Sequence, residues 1–274
     1  MIAGGKCGNV MSANPNTIIA AENYGAPLPN VMACGIVPAI IGLVVSVYLI
    51  LPLLPEGEKL APSLADEDDE KGLPSLWASL SGPLVAIILL ALRPIFGISI
   101  DPLVALPVGG LVGIAATGAW KKTGECIQYG LGKMSGIAVL LVGTGTIAGI
   151  IKASAIKDVL VGVLGGWESG AMLLAPLSAI LMCAASASTT AGATISSASF
   201  SGAVLGAGVS PVWGAAMTNA GATVLDHLPH GSFFHATGGS VSMDMKERLK
   251  LIPYECLVGL TLTIVSVLCC LVAG

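Results

Sequence analysis

Charge is scarce in this sequence. Of 274 residues only 10% are Asp, Glu, Lys or Arg, while 54% are hydrophobic and mean hydropathy is +0.89. A soluble domain carries a surface that is about 25–35% charged, so a mostly water-facing chain is excluded and the composition is that of an integral membrane protein. Aromatic residues are few as well, at 4%, which excludes heavy interfacial girdles, whereas 36 glycines permit closely packed helices. A net charge of −4, with much of the acidity in one stretch, excludes a nucleic-acid partner. The seven cysteines (Cys7, Cys34, Cys126, Cys183, Cys256, Cys269, Cys270) form no C-x-x-C pair and mostly lie in apolar segments, so neither a disulfide nor a metal site is expected. H-E-x-x-H, G-x-S-x-G and an acid pair within an apolar helix are all missing, so neither an enzyme nor a cofactor is expected. No basic stretch followed by an apolar core opens the chain, so no signal peptide is read there.

What is present is a series of apolar runs. Val31 to Leu54 is long enough to cross a bilayer core of about 30 Å. Trp77 to Leu92, closed by Arg93-Pro94, is read as a second span, Pro102 to Trp120 as a third, Ser135 to Ile151 as a fourth, and Pro253 to Val272 as the last. Gly109 with Gly113, and Gly145 with Gly149, have the small-xxx-small spacing of close helix crossings. Residues 55–75, with Asp66, Glu67, Asp68, Asp69 and Glu70 in succession, read as a solvated acidic loop inside a single membrane domain covering 1–274. Loops after the first and third spans carry Lys59, Lys71, Lys121, Lys122 and Lys133, against Arg93, Lys152 and Lys157 on the other face, which places the former inside. Lys246, Arg248 and Lys250, ahead of the last span, lie inside by the same rule. An odd number of crossings must then separate Asp158 from Asp244. The two apolar candidates there, Val159 to Ala184 and Ala203 to Leu225, make a segment that enters and returns the expected solution.

Between Ala184 and Gly202 stand nine hydroxyls and no charge. Ser186, Thr190, Thr194, Ser197 and Ser201 would share one face of a helix. The central TTAGA could instead be the tip of a re-entrant hairpin with free backbone N–H groups. Either arrangement gives an uncharged polar surface at membrane depth able to replace a solute's hydration shell; a Ser/Ala packing face between helices is the competing reading. Ser188, Thr189 and Gly192 belong to the same stretch. Upstream, Asn14 and Asn16 flank Pro15 in a Gly- and Asn-rich segment suited to a broken helix whose amides hold a polar ligand. Lys6 follows glycines, but the first Gly of a phosphate loop is absent and Cys7 stands where Ser or Thr is required, so nucleotide binding is rejected. All three histidines fall in DHLPHGSFFH, after an apolar run holding Thr218 and Asn219. Asp226 and His227, with His230 nearby, are candidates for a proton relay, because titratable groups at membrane depth usually face a cavity. Pro229 and Gly231 break any face that could gather the imidazoles round a metal.

STTAGATIS, then GVSP at Gly208 to Pro211, then TNAGATVLDHLPHGSFF together resemble the gluconate permease (GntP) family of sugar-acid:proton symporters. The resemblance spans nearly the whole chain and implies that it begins inside the family pattern, without the leading helices. It implies an all-α polytopic membrane protein, a helical bundle with broken helices and re-entrant hairpins in which Ser188 to Gly192 is one tip and the region around Asn9 to Asn16 part of the first half-site. The expected activity is proton-coupled uptake of a small organic acid across the inner (plasma) membrane, with homo-oligomers left open. Its carboxylate would be held near Ser188 to Gly192, and its hydroxyls by Ser186, Thr190 and Thr194 with Asn14, Asn16 and Asn219 opposite. Coupling would come from Asp226, His227 or His230. A sodium-coupled organic anion carrier or antiporter of the same fold is the alternative, and a non-transporting truncated fragment is the third.

Overall fold

The computed structural model describes residues 2–54, 74–96, 100–153, 155, 159, 162, 170–239, 241 and 243–273, and every regular element among them is helical. The acidic run from Asp66 to Glu70, with Lys59, Lys71, Lys157 and Asp158, lies outside the described residues. The chain divides into two compact units, Met1–Leu53 with Ala138–Gly274, and Leu54–Ile137.

In the smaller unit α4 (Leu76–Phe96) packs on α5 (Pro102–Ala116). Asp101 caps α5 by accepting from the Leu103 amide at 2.8 Å, and Pro102 opens it where a missing N–H costs nothing. A Cβ built on Gly109 would stand 2.7 Å from the Gly82 carbonyl oxygen, and one on Gly82 2.9 Å from that of Gly109, so the crossing requires glycine on both helices. Helix α6 (Thr123–Ala153) follows. It starts well before the expected fourth span and runs through position 133, so Lys133 does not belong to a loop and the loop tally of charge loses one member. Gly149, expected at a close crossing, has open space around it.

The larger unit carries the core. Its helices are α1 (Ile2–Met11), α2 (Pro15–Tyr24), α3 (Leu28–Val45, prolonged by a widened turn at Ser46–Ile50 and a tight one at Leu51–Leu53), α7 (Gly170–Ser186), α8 (Thr189–Gly206), α9 (Pro211–Gly221), α10 (Ser232–Gly239), α11 (Met245–Lys250) and α12 (Ile252–Ala273). Helix α9 sits at the centre, touching α1, α2, α3, α7, α8 and α12, and everything from Gly214 to Gly221 is buried. The expected apolar run Ala203 to Leu225 is therefore two helices: the turn holding Gly208, at φ 85°, ends α8, and Ser210 and Pro211 start α9.

Polarity is inverted relative to a soluble bundle. Helix α3 buries Val31, Gly35, Pro38, Ala39 and Gly42 and exposes Ile36, Val37, Ile40, Ile41 and Val44. Helix α12 buries Glu255, Thr263 and Ser266 and exposes Leu257, Leu260, Ile264, Leu268 and Leu271. Large apolar side chains outside and polar ones inside make a surface solvated by lipid. Among the described residues, the helical stretches Leu28–Leu53 and Met245–Ala273 are long and apolar enough to cross a bilayer.

The hydroxyl stretch resolves into a helix pair with its tip at Ala187–Ser188, just ahead of TTAGA. Ala187 adopts φ 45°, and Ser188 caps α8 by accepting from the Ala191 amide at 3.3 Å. Ser186 belongs to α7 and Thr190 to α8, so the expected continuous stripe is broken between them. Gly192 lets the two helices close up, since a Cβ there would stand 2.8–2.9 Å from Cys183.

Candidate functional site

Three helix interruptions of the larger unit meet around a cavity of about 320 Å³. The gap between α1 and α2 contributes Asn9 and Asn16, the α7–α8 tip contributes Ala187, Ser188, Thr189 and Thr190, and the link from α9 to α10 contributes Asp226, Ser232 and Phe233. Gly5 and Lys6 complete the lining from α1. Gly5 and Ser232 are exposed, so the cavity opens beside them. Helices α2, α8 and α10 present their N-terminal ends to it, each bearing partial positive charge.

Lys6 is the centre of the charge chemistry. Its side chain is 1% exposed; its ammonium donates to the Asp226 carboxylate and the Thr223 carbonyl and lies 3.0 Å from His227 Nδ1. The second Asp226 oxygen accepts from the Thr189 hydroxyl at 2.8 Å. Burial alone would raise the Asp226 pKa, but the His227 ring, the Lys6 ammonium and the Thr189 hydroxyl outweigh it and hold the carboxyl below its ordinary range. His227 is fully buried; Nε2 lies 3.0 Å from the Ile252 carbonyl, and Nδ1 lies 3.0 Å from Lys6 Nζ and 3.2 Å from Asp226 Oδ1. Beyond the ring, Glu255 Oε2 stands 3.7 Å from Nδ1, and Glu255 is paired with buried Arg248.

An amide network walls the other side. Asn16 donates to Asn219 Oδ1 at 2.7 Å and to Asn9 Oδ1 at 3.2 Å, while Asn219 donates to the Thr17 hydroxyl at 2.9 Å. Asn14 caps α2, accepting from the Thr17 amide and donating to the Asn9 carbonyl and side chain. These bonds hold α1, α2 and α9 in register around the cavity.

The structure thus brings Asn16, Ser188, Thr189, Thr190 and Asp226 onto one cavity wall, with His227 and Asn219 directly behind it. It does not bring the others there. Asn14 is occupied as a helix cap, and Gly192 is buried against Cys183. The Ser186 and Thr194 hydroxyls turn back on their own helices, to the Met182 and Thr190 carbonyls. His230 is exposed on the turn ahead of α10. Lys6, set aside with the phosphate-loop reading, proves to be the counter-ion of Asp226; its one sequence cue was a single cation inside an otherwise uncharged helix. Arg248 and Glu255, seven residues apart across the α11–α12 break, left no periodic trace.

The sequence model of the Na+-H+ antiporter family matches residues 78–167. That stretch lies within α4 to α6 and the segment after them, away from the motifs that suggested a gluconate permease. A protein of Haemophilus influenzae described as an uncharacterized transporter is 52% identical over 268 residues. The alignment covers 98% of this chain and 64% of that protein, so the chain spans under two thirds of the length of the curated relative it matches. No solved structure matches. These similarities overturn the gluconate permease resemblance. The physical reason is visible in the fold: of the residues that carried it, Thr194, Ile195 and Ser196 pack α8 inside the bundle, with Ser196 bonded to Ser178 at 2.6 Å. Such sequence serves helix packing in many carriers and specifies no solute.

Proposed function

We propose that the chain is the ion-handling part of a multi-pass secondary transporter that exchanges sodium for protons, with Asp226 as the exchange carboxylate. The observation that carries this reading is the buried Lys6–Asp226 pair on the wall of a cavity rich in oxygen atoms. A carboxylate removed from water needs a counter-charge in every state. Lys6 supplies one state. A sodium ion entering beside Asp226, Thr189 and the Asn9 and Asn16 side chains supplies the other, provided Lys6 then gives up a proton and becomes a neutral amine. Hard oxygen donors suit such a cation. Net charge around the carboxylate is conserved, so one cation enters as one proton leaves. His227 holds the neutral amine in place through Nδ1 and keeps the same geometry available for the return step. The family match over residues 78–167 supports the same ion pair of substrates.

The test is the protein in liposomes loaded with a pH-sensitive dye. An external sodium pulse should raise the internal pH, a potassium pulse should not, and Asp226→Asn should abolish the response. Equal responses to both ions, or an unaffected Asp226→Asn variant, would overturn the proposal.

One observation favours a second reading, a sodium-coupled carrier of a small organic anion. About 320 Å³ is far more than a bare ion occupies, and the N-terminal ends of α2, α8 and α10 favour a negative solute. Sodium flux that requires an added carboxylate would select it.

A further inference from the structure

We infer that Arg248 is a positioning residue that fixes the α10 wall of the cavity and ties it to the charge cluster. Helix α10 is eight residues long, and its buried residues are Phe234 and Gly238. Both lie against Arg248. The guanidinium stands 4.7 Å from the Phe234 ring centre, its Nε donates to the Phe234 carbonyl at 3.2 Å, and its stem runs past Gly238 at a distance that leaves a Cβ there only 3.4 Å from Cδ. The remaining nitrogens grip the Glu255 carboxylate at the start of α12. Arg248 is 1% exposed, so this fork works in a dry setting where its bonds are strong and its geometry is fixed.

The two ends of this clamp matter differently. At one end, Ser232 and Phe233 of α10 line the cavity beside its opening. At the other, Glu255 faces His227, which contacts both Lys6 and Asp226. One side chain therefore joins the wall beside the mouth to the groups that change their pairing in the exchange. Lysine could not substitute, because it lacks the planar fork that meets a carboxylate, a carbonyl and a ring together. Loss of Arg248 leaves α10 with little else buried, and such lightly buried segments open locally.

The inference rests on the cavity being the transport site, but its test does not need transport. In liposomes, a Thr190→Cys variant made in a Cys126→Ser background places a thiol on the α8 lining, to be labelled with a membrane-impermeant maleimide and compared with the same background lacking it. Replacing the ion pair as a whole, by Arg248→Leu with Glu255→Leu, avoids stranding one buried charge. Labelling at position 190 should rise roughly threefold or more, as expected of a wall freed to open. Phe234→Leu, which keeps the ion pair and removes the ring, should give an intermediate rise. Sodium dependence should change in step, with a raised half-saturating concentration and a smaller effect on maximal rate, and Arg248→Lys should not restore it. Unchanged labelling in both the double variant and Phe234→Leu, with helical content intact, would overturn the inference. A parent that shows no sodium response while labelling still rises would overturn the exchange proposal and leave the clamp standing.

Discussion

Lys6 and Asp226 stabilise each other only as a pair. Removing one charge leaves the other buried and uncompensated, at a cost of about 3–5 kcal/mol. Asp226→Asn should therefore lower thermal stability in detergent by that order as well as stop exchange, whereas Lys6→Met with Asp226→Leu should recover much of the stability and none of the exchange; melting followed by circular dichroism reads the first, dye-loaded liposomes the second. Acid should narrow the gap between the parent and Asp226→Asn. The folded carboxyl pKa is depressed, so its stabilisation is complete above the unfolded value of about 4 and is lost as pH falls through the folded value. Sequence alone marked Asp226 and His227, since ionisable residues after an apolar run are conspicuous. It could not mark Lys6 as a counter-ion: a single cation in an otherwise uncharged helix is the one local cue, and the partner stands 220 positions away.

The element that organises the site is the α7–α8 tip. Ser188 satisfies an amide that the helix start leaves free, and Ser188→Ala should destabilise the protein by about 1 kcal/mol in a denaturation series while loosening the cavity wall. Gly192 is a packing requirement: Gly192→Ala drives a Cβ into the Cys183 backbone and should cost about 1–3 kcal/mol in the same measurement, because a packed helix pair cannot yield without shifting. The same holds where Gly231 meets the tip, as a Cβ there would stand 2.3 Å from the Ala187 carbonyl oxygen. Hydroxyl spacing suggested one helix through Ser186, Thr190, Thr194, Ser197 and Ser201, and the last four do share α8. It misplaced the tip, since a single residue at positive φ, Ala187, sets the break and alanine carries no turn signature.

At the scale of the molecule, the exposed faces of α3 and α12 are among its most apolar surfaces, while the interior face of α12 carries Glu255, Thr263 and Ser266 beside Val258 and Leu262. Ile40→Asp or Ile264→Asp should reduce membrane insertion, each at about 2.5–3.5 kcal/mol of apparent transfer free energy near a span centre, and a glycosylation-based insertion assay would read it. Composition and hydropathy determined this much by themselves: helices, lipid as the solvent, and the approximate spans of α3 and α12, because each is a local or additive property of the chain. The tertiary structure alone decided that Asn9, Asn16, Ser188, Thr189, Asp226 and Lys6 share one cavity, that Asn14 and Gly192 serve structure, and that Arg248 holds α10 to α12. Those facts depend on contacts that reach across as many as 221 positions, and a linear pattern holds no record of such distances.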